Sequence, residues 1–255
     1  MKAVILCGGL GTRLREETEF RPKPMVEIGG RPILWHIMKI YAQYGINDFV
    51  LCLGYKGEMI KEYFLNYEAI NSDFTVRLGS RDEIVFHNSH LEADWRVTLA
   101  STGDTTLTAG RIQMIRQYIG DERFFVTYGD GVADIRIDDL LAYHEAHGKL
   151  ATVSTVQIPS RFGVLELDDS GQVSDFAEKA TTSGWVNGGF FVFEPGVFDY
   201  LDDAMLEHYV LPKLTDDGEL MAWKHRGFWQ PMDTFRETSL LNEMWAAGTA
   251  PWKVW

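Results

Sequence analysis

Short apolar runs alternate along this chain with stretches in which apolar residues recur at helical spacing. The runs lack the alternation of a half-exposed strand, and this indicates strands buried on both faces. Such strands are predicted at residues 2–7, 49–53, 124–128, 151–158 and 185–193. Apolar residues three and four positions apart indicate amphipathic helices between the strands. Helices are predicted at residues 32–44, 58–67, from 112 to about 119, from 139 to about 147, at 197–217 and from 235 to about 247.

The strand–helix–strand–helix order of the first 70 residues predicts an α/β fold with a doubly wound, mostly parallel, Rossmann-like sheet. The crossovers between its parallel strands should be right-handed. No repeat, low-complexity segment or linker interrupts the pattern, so residues 1–255 are expected to form a single domain. Shorter strands add a small β-rich portion and an edge strand. They are predicted at residues 74–78, 84–88, 95–99, 161–167, 172–176 and 220–224.

Several helix ends carry local signals. Pro32 is expected at the first helical position, because its fixed φ suits a helix start and its missing N–H is not needed there. Thr234, and Asp138 or Asp139, are expected caps, since short side-chain oxygens accept hydrogen bonds from free N–H groups. The hydroxyl-rich loop at 102–111 precedes another helix, where it can cap the helix, bind an anion, or do both.

The histidines are interpreted as structural residues. His36 falls within a predicted helix and is expected to have its hydrogen bonds satisfied. His87 and His90 have the spacing of a metal pair, but strand alternation and the lack of a nearby third ligand favour a plain hairpin. His144 and His147 share one face of a predicted helix and are expected at the surface.

A glycine-rich loop, residues 8–13, ends the first predicted strand. Glycine lets backbone N–H groups approach a ligand closely, and successive N–H groups bind phosphate. Arg13 and Lys23, which lies between two prolines, can add positive charge. The dinucleotide pattern G-x-G-x-x-G fails because Leu14 holds its last position, and the P-loop pattern fails because Arg13 replaces its second glycine. The loop therefore predicts a phosphate site of neither kind.

The charge balance narrows the possible ligands. Lys and Arg number 24 against 37 Asp and Glu, a formal charge of −13, which argues against general nucleic-acid binding. A small polyphosphate remains possible where local positive charge or a metal ion meets it. Cys7 and Cys52 lie in apolar runs and are expected to be free, buried thiols of a reducing cytoplasm. Because no apolar run approaches transmembrane length, no membrane association is expected.

Two aspartates are candidate metal ligands. Asp130 follows a predicted core strand and lies between two glycines, which leave space for a bulky ligand. Open α/β sheets bind ligands beyond the carboxyl ends of their strands. Mg²⁺ is typically held by one or two carboxylates together with substrate phosphates. Asp130 is therefore a predicted Mg²⁺ ligand, with Asp233 as a candidate second carboxylate.

Together these motifs resemble the sugar-1-phosphate nucleotidylyltransferases. The family signature appears as L-x-G-G-L-G-T-R-L at residues 6–14 and R-P-K-P-M at 21–25. Within the family, the chain is most similar to the branch that uses CTP and glucose 1-phosphate. That closer likeness lies in MVEIGGRPILWHIMK, GYKG, TYGDGVAD, NGGFFV, GFWQPMDT and APWK, at residues 25–39, 54–57, 127–134, 187–192, 227–234 and 250–253. The resemblance therefore spans essentially the whole chain.

The resemblance implies that CTP and α-D-glucose 1-phosphate react, with Mg²⁺, to give CDP-glucose and pyrophosphate. CDP-glucose would feed dideoxysugar synthesis for O-antigen lipopolysaccharide. By similarity, the catalytic residues are Arg13, Lys23, Asp130 and Asp233, with the two aspartates holding the metal. The nucleotide would contact Leu6, Cys7, Gly8, Gly9, Leu10, Gly11, Thr12, Arg13, Lys23, Thr106, Arg111 and Gly129. The sugar phosphate would contact Gly163, Glu178, Lys179, Asn187 and Gly188, in and beside the β-rich portion.

Homo-oligomers are common in this family. The aromatic tail, residues 251–255 with Trp245, is therefore expected to dock on another surface. Three alternatives remain open from the residues alone. They are the same chemistry with another nucleotide or sugar phosphate, cytidylyl transfer to a phosphorylated acceptor that is not a sugar, and a catalytically silent nucleotide sensor.

Overall fold

A seven-stranded sheet lies at the centre of the computed structural model. The structure describes residues 1–9, 11, 14–79, 83–88, 90–158, 164–167, 170, 172–177 and 184–255. Its strands are β1 (Lys2–Cys7), β2 (Glu27–Ile28), β3 (Arg31–Pro32), β4 (Asp48–Leu53), β5 (Phe74–Val76), β6 (Ile84–Phe86), β7 (Arg96–Ser101), β8 (Phe124–Tyr128), β9 (Gly131–Ala133), β10 (Ala151–Val156), β11 (Val164–Leu167), β12 (Val173–Ala177), β13 (Val186–Phe193), β14 (Leu220–Lys224) and β15 (Trp229–Pro231).

The α-helices cover the sheet and connect its strands. They are α1 (Arg15–Thr18), α2 (Ile33–Ala42), α3 (Gly57–Leu65), α4 (Tyr67–Asn71), α5 (Thr108–Met114), α6 (Arg116–Ile119), α7 (Ile137–His147), α8 (Leu211–Asp216) and α9 (Phe235–Ala246). None of the helices in the described part of the chain is long and apolar enough to cross a membrane.

The sheet has the strand order β14-β10-β13-β8-β1-β4-β7. β1 pairs in parallel with β4 and β8, β4 with β7, and β10 with β14. Among these seven strands β13 alone runs antiparallel to its neighbours, β8 and β10. The predicted α/β fold with a mostly parallel sheet is confirmed, and the predicted edge strand is β14.

Both faces of the sheet are buried, which explains the continuous apolar runs. In β1, Ala3, Ile5 and Cys7 belong to a core layer with α2, α7 and α9. Val4 and Leu6 face the opposite layer, which contains α5 and the segment from Pro195 to α8. Each β1 side chain is therefore packed between the sheet and a helical layer, as in other doubly wound folds.

The predicted helix caps agree with the structure in one case and differ from it in two. Thr234 caps α9 as expected, in a capping box in which Thr234 and Glu237 each bond the other's backbone N–H. Pro32 precedes α2 as its N-cap, with an extended ψ of 143°, and is not its first helical residue. Asp138 and Asp139 lie in the first turn of α7 and the N-cap is Arg136, so the expected cap position was wrong, although Asp138 Oδ1 accepts from the Asp139 N–H at 3.0 Å. Their negative charges still favour a helix N-terminus.

Three predicted helices are interrupted. The helix expected at 58–67 breaks at Asn66 into α3 and α4, and the next one breaks at Ile115 into α5 and α6. The helix expected at 197–217 is replaced by a 3₁₀ turn at Pro195–Asp199, a π-helical turn at Leu206–Val210, and α8. The π-helical turn lies against the start of α5, where Leu206 N–H donates to Thr108 Oγ1 at 2.7 Å.

His144 was wrongly expected at the surface. It is buried, its Nδ1 lies 2.8 Å from Thr152 Oγ1 and its Nε2 lies 3.3 Å from Glu194 Oε1. His147 is half-buried and its Nε2 lies 2.7 Å from the same Thr152 hydroxyl. Both side chains therefore fasten α7 to β10, and they act as structural residues.

The β-rich portion contains two short antiparallel ribbons. One pairs β5 with β6 and the other pairs β11 with β12, as predicted. His87 Nε2 lies 2.8 Å from Thr75 Oγ1, whereas His90 Nε2 lies 2.8 Å from Glu68 Oε2. The described residues contain no group of three or more His, Cys, Asp or Glu side chains that could hold a metal. The β5–β6 hairpin is confirmed, with His87 directly after it and His90 farther along the chain beside Glu68.

The aromatic tail packs against its own chain. Trp252 is fully buried, and Trp245 and Trp255 pack edge-on or tilted against the His36 ring of α2. His36 Nε2–H donates to the Ile28 carbonyl at 2.9 Å, and Trp252 Nε1–H donates to His36 Nδ1 at 3.4 Å. A carbonyl can only accept and an indole N–H can only donate, so these partners require the neutral imidazole. The tail therefore stabilises the fold and does not present an exposed aromatic surface.

We expect His36 to make the protein acid-sensitive. Burial lowers the pKa of His36 from 6.5 to about 4, so between these values the unfolded chain binds a proton that the folded protein excludes. The free energy of unfolding should therefore fall as pH drops from 6.5 to 4, by about 3 kcal/mol from this side chain. Urea unfolding of wild type and His36→Gln across this range measures the difference in slope.

The exposed His208 supplies the matched control. His208→Gln should retain the wild-type pH dependence, whereas His36→Gln should flatten it. Equal slopes in all three proteins would contradict the assignment to His36.

Candidate active site

A cavity of about 510 Å³ opens beyond the carboxyl ends of β1 and β8. This is where doubly wound sheets bind ligands. The cavity gathers most of the described residues that were expected to contact a nucleotide, together with one expected metal ligand. These are Leu6, Cys7, Gly8, Gly9, Lys23, Thr106, Arg111, Gly129 and Asp130. Leu10, Thr12 and Arg13, which were also expected here, lie outside the described residues.

Lys23 joins the two predicted metal ligands. Its Nζ donates to Asp130 Oδ2 at 2.6 Å and also to Asp233 Oδ1. Lys23 is 8% exposed, and the carboxylates are 33% and 19% exposed. Two carboxylates within hydrogen-bond reach of one nitrogen would repel each other without a cation between them. Of the four side chains expected to be catalytic, Lys23, Asp130 and Asp233 therefore converge on one point at the edge of the cavity.

A two-stranded ribbon brings the aspartates together. β9 follows Asp130 and pairs antiparallel with β15, and Met232 N–H donates to the Asp130 carbonyl at 2.8 Å. Asp233 comes next, and its backbone N–H donates to Glu237 Oε2 at 2.8 Å. The ribbon fixes one aspartate and the capping box of α9 fixes the other. Their backbones are thus set by hydrogen bonds before any ligand binds.

The donor set fits a small, hard cation. Two carboxylates supply oxygen ligands only, and the adjacent cavity has room for phosphate oxygens to complete the coordination. Oxygen ligands with one or two carboxylates are typical of Mg²⁺ sites. Asp130 and Asp233 would therefore hold the predicted divalent metal in competition with the Lys23 ammonium, which bridges them in this structure.

The glycines of the first loop serve different purposes. A Cβ at Gly8 would overlap the guanidinium of Arg111, so this position needs glycine for space. Gly11 has φ +62°, a left-handed conformation that strains other residues. At Gly9 a Cβ would meet open space, so this glycine leaves room on the cavity side. The open space at Gly9 fits the expectation that glycine in this loop lets a ligand approach the backbone closely.

Arg111 supports the loop from behind. It is buried, and its guanidinium donates to Thr102 Oγ1 at 2.8 Å and to the carbonyls of Gly103 at 2.7 Å and Gly8 at 2.9 Å. A Cβ at Gly54 would also lie 2.7 Å from its Nη1. Burial lowers the pKa of Arg111, and the hydrogen bonds from its Nη1 and Nη2 groups to neutral oxygens replace the water that burial removes. Arg111 therefore holds two cavity loops together.

The opposite wall consists of residues 105–108, at the start of α5. The expected hydroxyl cap is absent from this described segment, because the N-cap is Leu107. Instead, Asp203 Oδ1 accepts from Leu107 N–H at 3.1 Å, and Thr108 Oγ1 donates to Glu207 Oε2 at 3.2 Å. The chain segment before α8 therefore accepts hydrogen bonds from the start of α5. Thr106 lines the cavity.

The cavity thiol is not a nucleophile. Burial raises the pKa of Cys7, and burial raises the pKa of Cys52 on the neighbouring strand to about 12. Both cysteines are free and buried, as the sequence predicted. Both thiols therefore remain protonated at neutral pH. Only the thiolate is strongly nucleophilic, so neither cysteine is expected to attack a substrate.

The predicted sugar-phosphate residues are described in part. Asn187 Nδ2 donates to the Tyr128 hydroxyl at 3.3 Å, and Tyr128 lines the cavity. The Gly188 carbonyl accepts from Trp229 Nε1 at 2.7 Å, and a Cβ at Gly188 would lie 2.8 Å from Ser154 Oγ. Gly188 therefore has a packing role. Gly163, Glu178 and Lys179 lie outside the described residues.

Comparison with known proteins decides the family. The model of the nucleotidyl transferase family matches residues 2–237. This chain is a nucleotidyl transferase. It is 51% identical to glucose-1-phosphate cytidylyltransferase of Salmonella typhi and 48% identical to the probable glucose-1-phosphate cytidylyltransferase of Bacillus subtilis. Both alignments cover all of the transferase and all of the relative. The family resemblance inferred from the motifs is confirmed.

The fold has relatives among solved structures. The crystal structure of HddC from Yersinia pseudotuberculosis aligns with a TM-score of 0.69 at 24% identity, over 96% of the transferase and 99% of HddC. At this identity the likeness concerns the fold. The Rossmann-like architecture expected from the strand pattern is thus shared with a solved structure.

Proposed function

We propose that the transferase moves a cytidylyl group from CTP to α-D-glucose 1-phosphate, giving CDP-glucose and pyrophosphate. The observation that carries the proposal is the convergence of Lys23, Asp130 and Asp233 at the nucleotide-sized cavity. Full-length likeness to cytidylyltransferases supports the choice of base and sugar phosphate. The proposed divalent ion is Mg²⁺, because the two candidate ligands, Asp130 and Asp233, supply carboxylate oxygens.

The chemistry needs alignment and positive charge. A phosphate oxygen of glucose 1-phosphate attacks the α-phosphorus of CTP, and the bond from that phosphorus to the β-phosphate bridge oxygen breaks. The attacking phosphate is already a nucleophile and pyrophosphate is the leaving group, so no covalent protein intermediate is needed. A bound Mg²⁺ supplies charge neutralisation between the two anions. The protein's task is then to align the two anions and to offset their repulsion.

The side chains have separate roles in this proposal. Asp130 and Asp233 bind the metal, and Lys23 lies close enough to stabilise the α-phosphate and the leaving pyrophosphate. Arg13 adds a second cation on the loop. Gly9 leaves space for the nucleotide, and the 105–108 segment forms the opposite wall. Asn187 contacts the sugar phosphate, and Glu178 and Lys179 share this role.

We propose a cytoplasmic homo-oligomer that supplies CDP-glucose for O-antigen synthesis. Because the aromatic tail packs internally, it no longer supports self-association. The β5–β6 ribbon does, because it exposes apolar side chains that a second copy could cover. These exposed side chains are Phe74, Val76, Ile84, Val85 and Phe86. Light scattering of the purified protein tests the oligomeric state.

Pyrophosphate release tests the function directly. Purified protein with Mg²⁺ and glucose 1-phosphate should release pyrophosphate fastest with CTP when CTP, UTP, dTTP, ATP and GTP are offered separately. A different preferred nucleotide would overturn the choice of base and keep the mechanism. No release with any nucleotide would leave cytidylyl transfer to another phosphorylated acceptor, or nucleotide sensing, as the function to test.

A further inference from the structure

Glu207 lies where three parts of the site meet. It belongs to the π-helical turn Leu206–Val210, which crosses the start of α5. One carboxylate oxygen, Oε1, accepts from the Tyr128 hydroxyl, and the other, Oε2, accepts from Thr108 Oγ1 at 3.2 Å. Thr108 and Tyr128 both line the nucleotide cavity, and Tyr128 precedes Gly129 and Asp130. No sequence motif marks this glutamate.

The hydrogen bonds on the Tyr128 side have a fixed direction. Asn187 Oδ1 accepts from the Gly189 N–H at 2.8 Å, so its amide nitrogen faces the other way. That nitrogen donates to the Tyr128 hydroxyl at 3.3 Å. The hydroxyl oxygen is thus an acceptor from Asn187, and its single hydrogen goes to Glu207.

The Thr108 side is fixed in the same manner. Leu206 N–H donates to Thr108 Oγ1 at 2.7 Å, so the threonine hydrogen is available to Glu207 Oε2. Both oxygens of Glu207 must therefore accept a hydrogen bond. A carboxylate meets this requirement and a glutamine does not, because its amide nitrogen can only donate.

We propose that Glu207 is a positioning residue that links the nucleotide wall at Thr108 to the Asn187 amide, which meets the sugar phosphate. The link runs from Thr108 through Glu207 and Tyr128 to Asn187. This link keeps one amide hydrogen of Asn187 bonded to Tyr128. It thereby fixes the orientation in which the Asn187 amide meets the sugar phosphate. The inference rests on the proposed function, because that function assigns Asn187 to the sugar phosphate.

A double-mutant cycle tests the link. Glu207→Gln should raise the KM for glucose 1-phosphate about tenfold, with a much smaller change in kcat, because a glutamine has one acceptor oxygen and cannot accept from Tyr128 and Thr108 together. Asn187→Ala should raise the same KM. The double variant should be no worse than Asn187→Ala alone, since the effect of Glu207 passes through Asn187. Tyr128→Phe is a second way to cut the link and should reproduce the KM increase.

Glu194→Gln is the matched control. Glu194 is 29% exposed and accepts from Arg123 Nε at 2.6 Å, away from the cavity. It should keep the wild-type KM, which separates the loss of this link from the general loss of a hydrogen-bonded glutamate. Thermal unfolding of every variant checks that the fold is retained.

Two outcomes overturn the proposal while the function stands. In both, wild type converts CTP and glucose 1-phosphate. In the first, the effects of the Glu207 and Asn187 substitutions on KM multiply independently. In the second, Glu207→Gln and Tyr128→Phe lower only kcat. Either result refutes the link alone. A wild type that releases no pyrophosphate from this substrate pair refutes the proposed function, and the role of Glu207 with it.

Discussion

Asp130→Asn should lower turnover by about a hundredfold to a thousandfold while the protein stays folded. The amide removes one negative ligand from the proposed metal site, and charge neutralisation between two anionic substrates is the main demand of this reaction. The fold should survive because Lys23 keeps its bond to Asp233 and the Asp130 carbonyl keeps its bond from Met232. Initial rates of pyrophosphate release at saturating CTP and glucose 1-phosphate measure the effect.

Asp138→Asn is the control for this substitution. Asp138 is an exposed aspartate at the start of α7 that pairs with Arg136 at 2.7 Å, outside the cavity. Its variant should remain within about twofold of wild type, since exposed ion pairs contribute little. Near-normal turnover of Asp130→Asn would remove Asp130 from the metal site, even if the function itself is confirmed.

Lys23→Gln should have two opposite effects. Turnover should fall by about a hundredfold, because the positive charge beside the reacting phosphates is lost. Affinity for Mn²⁺ without nucleotide should rise about tenfold, because the ammonium no longer competes for Asp130 and Asp233. Titration of the free protein with Mn²⁺, followed by electron paramagnetic resonance, measures the second effect independently of catalysis.

Lys149→Gln provides the comparison. Lys149 also pairs with a carboxylate, Glu219, at 3.3 Å, but it lies outside the cavity. Its variant should bind Mn²⁺ as wild type does. If Lys23→Gln binds Mn²⁺ no more tightly than wild type, then the Lys23 ammonium and the metal do not compete for the two carboxylates.

The strands could be predicted because burial on both faces requires a continuous run of apolar residues. β1, β4 and β8 appear as unbroken apolar runs, and each is a central strand. Helix interruptions at Asn66 and Ile115 were missed, because apolar spacing continues across a break when both pieces pack on one surface. Periodicity therefore located the layers better than it located the helix ends.

The candidate site could be predicted where its residues belong to short sequence motifs. Lys23 and Asp130 lie in such motifs, and the structure brings them together across 107 positions of sequence. The contacts of Arg111 and Glu207 depend on packing between distant segments. Glu207 meets Tyr128 across 79 positions, and no local pattern encodes that contact. His144 was missed for the same reason, because its helix face alone did not reveal Thr152 beneath it.

The packing of Arg111 against Gly8 and Gly54 also constrains how this sequence can change over evolution. Alanine at either glycine position collides with the guanidinium. A shorter residue at 111 removes the collision at Gly8, but it also removes the bonds that join the two loops, and a Cβ at Gly54 would still lie 2.9 Å from Gly8 Cα. The effect of each substitution thus depends on which of the other two has already occurred. Each single substitution in this trio costs packing or hydrogen bonds, so the three positions are expected to persist or to change together.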